Sequence, residues 1–190
     1  MITYLVRYRR LLGVLLFLAI AVAAFQWSGL RGHFDLAFIR QLIASHPLGG
    51  LVLFVLLFAL GNLIQIPGWL FLAAAVLALG RVGGGLVTYI AAVLSCAATF
   101  VTIRAIGGDA LRLITNRLAV RLLRELDTRP VRSVALLRVV FQTAPPVNYA
   151  LAMSGIRFRA YMIGTMLGLP LPIALYCLFF DLLAAGLHIT

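Results

Sequence analysis

Residues 51–80 read LVLFVLLFALGNLIQIPGWLFLAAAVLALG, and this stretch decides the fold class. A long apolar run breaks at Pro67-Gly68 and resumes as WLFLAAAVLALG. Proline fixes its own φ and has no N–H to donate, so one continuous helix through this point is disfavoured. The second piece, 69–80, has 12 residues, about 18 Å of helix at 1.5 Å per residue. The hydrocarbon core of a bilayer is about 30 Å thick, so this piece is too short to cross it. A re-entrant hairpin with Pro67-Gly68 near its tip fits, provided its freed backbone groups face protein or a water-filled cavity.

Composition places the whole chain in the same class. Its 190 residues are 64% hydrophobic and 11% charged, with mean hydropathy +1.10. A soluble domain is nearer half apolar and a quarter charged. The chain therefore reads as an all-α polytopic integral membrane protein. All 16 basic residues are arginine, and five acids leave a net charge of +11. In a soluble protein that balance would point to nucleic acid. Here the arginines flank apolar runs, which points to membrane orientation and lipid headgroups, with no nucleic acid partner. Cys96 and Cys177 lie in apolar stretches without metal or redox spacing. His33, His46 and His188 are scattered near helix ends. The expectation is no metal and no cofactor.

Outward from the opening stretch, residues 11–27 follow Arg7, Arg9 and Arg10 and end in Phe25 and Trp27. They read as an uncleaved membrane helix, the alternative being a signal peptide cleaved near residue 24. Residues 35–45 place Leu36, Ile39, Leu42 and Ile43 at helical spacing after Asp35, a short amphipathic helix in the outer interface. Residues 83–107 read as a span opened by Gly83, Gly84 and Gly85. Residues 108–132 hold Arg112, Arg117, Arg121, Arg124, Arg129 and Arg132. They read as an amphipathic helix on the cytoplasmic surface, with Leu111, Leu118 and Leu122 on its apolar face. The stretch LLRVVFQTAPPVNYALAMSG, 136–155, breaks at Pro145-Pro146 and reads as a second re-entrant hairpin. Residues 160–187 form the last span, bent by Pro170 and Pro172.

This order divides the chain into an N-terminal part, 1–48, and a transport domain, 49–187. The domain comprises repeat one (49–107), the basic loop (108–132) and repeat two (133–187). Eleven arginines then fall inside and three, Arg31, Arg40 and Arg81, outside, which puts the N-terminus in the cytoplasm and the C-terminus outside. Proline-broken segments at corresponding places in two halves of opposite orientation are the pattern of an inverted-repeat transporter.

Several stretches carry a family resemblance: QIPGWLFLAAAVLALG at 65–80, FVTIRAIGG at 100–108, LLRVVFQTAPPVNYALAMSG at 136–155 and AYMIGTMLGLP at 160–170. Phe100 with Arg104 and Gly107, Arg138 with Pro145, and Asn148-Tyr149 before Gly155 occur in the order of the DedA superfamily. The chain resembles its VTT-domain branch, the SNARE-associated Golgi proteins, over about residues 50–175. The resemblance implies two opposed re-entrant hairpins in a multi-pass protein of the cell (inner) membrane. It also implies movement of lipids, undecaprenyl phosphate or phospholipid, between leaflets, often with proton coupling. Many members carry an acid in or before the first hairpin, where this chain has Asn62 and Gln65.

The candidate substrate-binding residues are Arg138, Asn148, Arg104 and Gln142, around hairpin tips at Pro67, Gly68, Pro145 and Pro146. An arginine at membrane depth costs at least about 2.5–3.5 kcal/mol, so Arg138 needs a polar partner or a cavity. It binds a lipid phosphate, or else braces hairpin carbonyls or snorkels to the headgroups. Arg104 reads more readily as snorkelling, and Asn148 and Gln142 equally well as caps of broken helices. Asp181 is a candidate proton carrier, set against pairing with Arg81 or interfacial exposure. Trp69 reads as an interface anchor or a packing residue. The leading function is a flippase or scramblase for an anionic polyprenyl phosphate or phospholipid. The alternatives are a small-ion transporter or a non-transporting assembly factor. An intramembrane enzyme is disfavoured, because Ser154-Gly155 has only His188 downstream and no carboxylates are paired. The sequence leaves the oligomeric state open.

Overall fold

The computed structural model describes residues 13, 14, 16, 17, 19, 20, 23, 47–63, 66–113 and 117–186. For 47–48, 113, 117–119, 181 and 183–186 it describes backbone alone. The described residues of the expected 11–27 segment are helical, and Val14 and Phe17 pack on the core. The helix expected at 35–45 lies outside the described residues.

Among the described residues, seven α-helices follow Pro47 in order: α1 (Pro47–Leu63), α2 (Gly68–Gly107), α3 (Arg117–Thr128), α4 (Pro130–Phe141), α5 (Pro145–Met153), α6 (Phe158–Gly168) and α7 (Pro170–Gly186). A short 3-10 turn, Ala110–Leu113, precedes α3. α1 stops before Pro67, which caps α2 in extended backbone at φ −62° and ψ 130°. α2 then runs back along α1, with the Phe71 ring centroid 5.0 Å from Phe58 and 6.2 Å from Phe54.

α2 is not one rod. Gly80 sits at φ 75° and ψ 174°, inside an otherwise helical run. That φ is open to glycine and strained for other residues. The chain reverses there: a Cβ on Gly84 would lie 2.5 Å from the Ala75 carbonyl oxygen. In a straight helix those positions would be about 13 Å apart. α2 therefore has a first limb, 68–79, about 18 Å long, and a second limb, 81–107, about 40 Å long. Only the second is long enough for a bilayer core of about 30 Å.

The second half repeats the order of helix, break, short helix and long apolar segment. The break differs from the sequence expectation. α4 ends at Phe141, the chain turns through Gln142, Thr143 and Ala144, and Pro145 and Pro146 open α5. A proline in the first helical turn sacrifices an N–H that has no intrahelical partner anyway. The tip thus lies at 142–144, and the prolines start the return helix. The two arms also splay: α4 lies mainly along α6, and α5 along α2. Two glycines set the α4–α6 approach. A Cβ on Gly168 would meet the Ala135 carbonyl oxygen at 2.5 Å, and one on Gly164 the Val131 carbonyl oxygen at 2.7 Å. Small residues at contacts are how apolar helices pack closely in lipid. α6 and α7 behave as one bent segment, since Leu169 N–H still bonds to Thr165 O and Ile173 N–H to Leu169 O, both at 3.1 Å.

Large apolar side chains cover the outside. Val52, Leu56 and Leu60 on α1, Leu86, Ile90 and Leu94 on α2, and Leu171, Leu175 and Leu178 on α7 are exposed in rows at helical spacing. Gly68–Gly107 and Phe158–Phe180 are apolar and long enough to cross a bilayer. An exterior of this kind is stable in lipid and a liability in water. The chain is an all-α membrane protein.

The basic segment forms α3 with a different apolar face from the expected one. Leu111, before the helix, packs on the core as expected; Leu123 is buried and Leu126 packs on the core, whereas Leu122 is 64% exposed. Leu118 has no described side chain. Arg121 and Arg124 lie exposed on the same helix.

Candidate functional site

Arg138, on the last turn of α4, is fully buried, at 0% exposure. Its Nε–H donates to Thr165 Oγ1 at 3.2 Å, Nη1 to the Gln142 carbonyl at 2.9 Å and Nη2 to Tyr161 Oη at 2.7 Å. The Gln142 carbonyl belongs to the broken end of α4, where carbonyls lack intrahelical donors. The guanidinium also stacks 5.2 Å from the Tyr161 ring centroid. Among the described residues no carboxylate reaches it: the ion pairs involve Arg104 and Arg112. Arg138 is thus a buried cation held by neutral acceptors, using three of an arginine's five N–H donors.

A polar network continues from it across both halves. The Tyr161 O–H faces the Cys96 carbonyl and Asn148 Oδ1, each at 3.2 Å. Asn148 Nδ2 donates to the Thr143 carbonyl at 3.2 Å and to Asn62 Oδ1 at 3.5 Å. Asn62 Nδ2 donates to Ser95 Oγ at 2.9 Å. Asn148 and Asn62 are both buried. The neighbouring Tyr149 O–H donates to the Leu63 carbonyl at 2.8 Å, which caps the open end of α1. Side chains of α5 therefore fasten the first hairpin to the second.

The two tips meet. Gly68 packs so closely on Thr143 that a Cβ there would lie 2.5 Å from Thr143 Oγ1. A cleft of about 380 Å³ opens over this contact, bordered by Pro67, Trp69, Phe141, Gln142, Pro145 and Tyr176. Its lining is mostly apolar, with Gln142 and Thr143 among its few polar residues. Gln142 is the one non-glycine residue at positive φ among the described residues, at 51°. Its Nε2 is buried without a hydrogen-bond partner. A strained backbone and an orphaned donor at one position mark a functional candidate. Arg138 lies one hydrogen bond behind it.

The sequence candidates thus fall into separate places. Arg138, Asn148 and Gln142 come together, beside Pro67, Gly68 and Pro145; Pro146 is exposed on the first turn of α5. Arg104 stands apart. It donates to the Ala152 carbonyl at 2.8 Å and pairs with Asp109 at 2.9 Å, so it braces the end of α5. Arg112, in the 3-10 turn beyond α2, does the same, donating to the Ser154 carbonyl at 2.8 Å and pairing with Asp127 at 2.5 Å. Its hydrogen bond to that carboxylate raises its pKa above the ordinary value. Trp69 is exposed at the rim of the cleft. The side chain of Asp181 lies outside the described residues. Sequence reasoning missed Tyr161 and Thr165. Their i, i+4 spacing on a glycine-bearing face was the available signal.

Residues 66–182 match the model of the VTT domain. The chain belongs to the VTT-domain family. This is the domain of the DedA and SNARE-associated Golgi proteins, a membrane-associated family generally linked to transport. The matched VTT domain starts at the first break and runs into α7, so it holds both tips, Arg138 and Asn148; α1 packs on it from outside the match. No curated protein and no solved structure matches the chain.

Proposed function

We propose that this VTT-domain protein moves an anionic lipid, a polyprenyl phosphate or a phospholipid, between membrane leaflets. One observation carries the reading. The broken tips of both halves border a single cleft, and directly behind Gln142 lies a buried cation that has no acidic partner among the described residues. A cation in low dielectric without a counter-ion favours an incoming anion. A mostly apolar lining with a few polar groups suits a headgroup that enters while its chains stay in lipid. In this reading the two helical hairpins are re-entrant, and the halves are inverted repeats. Gln142 Nε2 and the spare donors of Arg138 meet the headgroup when the tips part. No catalytic group is invoked.

The test is transport by the purified protein in liposomes, with fluorescent anionic and zwitterionic lipids and, separately, small anions. Faster exchange of the anionic lipid is the expected result. Movement of small anions alone would favour an ion transporter, and no movement of either an assembly role. Gln142→Met keeps the side-chain length and removes the donor. Losing a hydrogen bond to a charged group costs about 1.5–3 kcal/mol, so lipid transport should fall roughly ten- to hundredfold.

The exposed arginines of α3 fit a cytoplasmic surface, which carries the topology with it. With the N-terminus inside, a reporter fused after Thr190 should be active only when exported. A C-terminal reporter that works in the cytoplasm would overturn the proposed orientation.

A further inference from the structure

Beside the tip contact lies a second, smaller cavity of about 10 Å³, bordered by Phe58, Gly68, Leu72, Thr88, Gln142 and Thr143 among others. Gly68, Gln142 and Thr143 also border the open cleft, so these residues form the partition between the two spaces. Two polar atoms on its lining residues have no partner. Thr88, on the second limb of α2, is 2% exposed, and its Oγ1 makes no hydrogen bond. Gln142 Nε2, on the opposite tip, makes none either. Buried polar groups rarely stay unpaired, and a space of about 10–15 Å³ with polar partners is what one water needs.

We infer that this cavity binds a single internal water bridging Thr88 and Gln142. Gln142 Nε2 donates to the water oxygen, and the water donates to Thr88 Oγ1. The bridge ties the tip of the second half to the long limb of the first, beside the Gly68–Thr143 contact. It also makes Gln142 the link between the cavity and Arg138, because the carbonyl of the same residue accepts from the guanidinium. Parting the tips would expose this water before the Arg138 network.

The test reads stability and density, and so is independent of the transport assay. Thr88→Val keeps the shape and removes the hydroxyl. With the water in place, the melting temperature should fall by roughly 3–5 °C, the scale for losing about one hydrogen bond in a chain of this size. With a dry cavity, the same change removes an unpaired hydroxyl, and the melting temperature should hold or rise. Either of those results overturns the proposal. Thr88→Val combined with Gln142→Met supplies a second reading. A shared water makes the double variant scarcely worse than the poorer single one, whereas simple addition of the two effects overturns the bridge. A high-resolution map should place a peak within about 3.2 Å of both atoms, and an empty cavity there would also overturn it.

Discussion

Arg138→Ala is expected to lower the melting temperature in detergent by roughly 10 °C and to abolish transport. The substitution strips donors from Thr165, the Gln142 carbonyl and Tyr161 at once. Hydrogen bonds to a charged group are worth about 1.5–3 kcal/mol each. Against that loss stands the relief of burying one charge fewer, at least about 2.5–3.5 kcal/mol at membrane depth. The balance is a loss of about 2–5 kcal/mol, at about 2–4 °C per kcal/mol for a chain of this length. Arg138→Lys separates bracing from binding. Lysine keeps the charge but has no planar fork, so it can neither hold three acceptors in their present places nor grip a phosphate with two parallel bonds. A Lys variant that melts close to wild type yet transports ten- to hundredfold more slowly places Arg138 on the lipid path. A Lys variant that melts early but transports normally per folded molecule makes it a brace alone. Wild-type transport by a stable Arg138→Ala protein would sink the binding role and shift the headgroup contact to Asn148.

What the sequence disclosed followed from strong local rules. A proline between apolar runs breaks a helix wherever the rest of the chain lies, so the break at Pro67 was legible, as was the shortness of 69–80. The second break was misplaced by a few residues because proline also favours the first turn of a new helix. The sequence Gln142-Thr143-Ala144-Pro145-Pro146 is compatible with either use, and only the α5 contacts with α2 decide between them. Arg138 announced itself by cost, as an arginine in an apolar segment without an acid nearby. Its partners Tyr161 and Thr165 did not, because a tyrosine and a threonine are unremarkable in a membrane helix. Their roles come from the Gly164 and Gly168 contacts, which bring α6 against α4. The partner of Arg104 was hidden for a related reason. Its place near a helix end fits snorkelling and its pair with Asp109 is local, while the Ala152 carbonyl it also holds is 48 residues away in sequence. Leu122 was assigned to the wrong face because Leu123 is adjacent, and helical spacing alone does not choose between two neighbouring leucines.

The run Gly83-Gly84-Gly85 gives the second large expected effect, because three identical residues stand in three different surroundings. A Cβ on Gly84 would lie 2.5 Å from both Ala75 O and Val76 N, backbone atoms of the first limb of α2. A Cβ on Gly85 would lie 3.0 Å from the Cys177 sulfur, and one on Gly83 would lie 3.3 Å from Leu79 Cβ. Side chains can yield by a few tenths of an ångström, but the backbone of a packed helix moves only as a body. Gly84→Ala should therefore push the two limbs apart and cost about 3 kcal/mol or more, the upper range for overpacking a filled contact. Gly84→Val should leave little folded protein. Gly85→Ala should lower the melting temperature by a few degrees, and Gly83→Ala should be near neutral, since it also gains helix propensity. Gly80→Ala completes the set. No atom lies within 4 Å of its Cβ position, so the cost is only that of a backbone conformation nearly confined to glycine, on the order of 1–3 kcal/mol. Thermal unfolding of the four alanine variants in one detergent would read the order directly. If Gly84→Ala melts with Gly83→Ala, the limbs do not lie against each other, and the reversal at Gly80 is lost as an account of the short first limb. A continuous 40-residue helix would then have to replace the hairpin that brings Gly68 to Thr143.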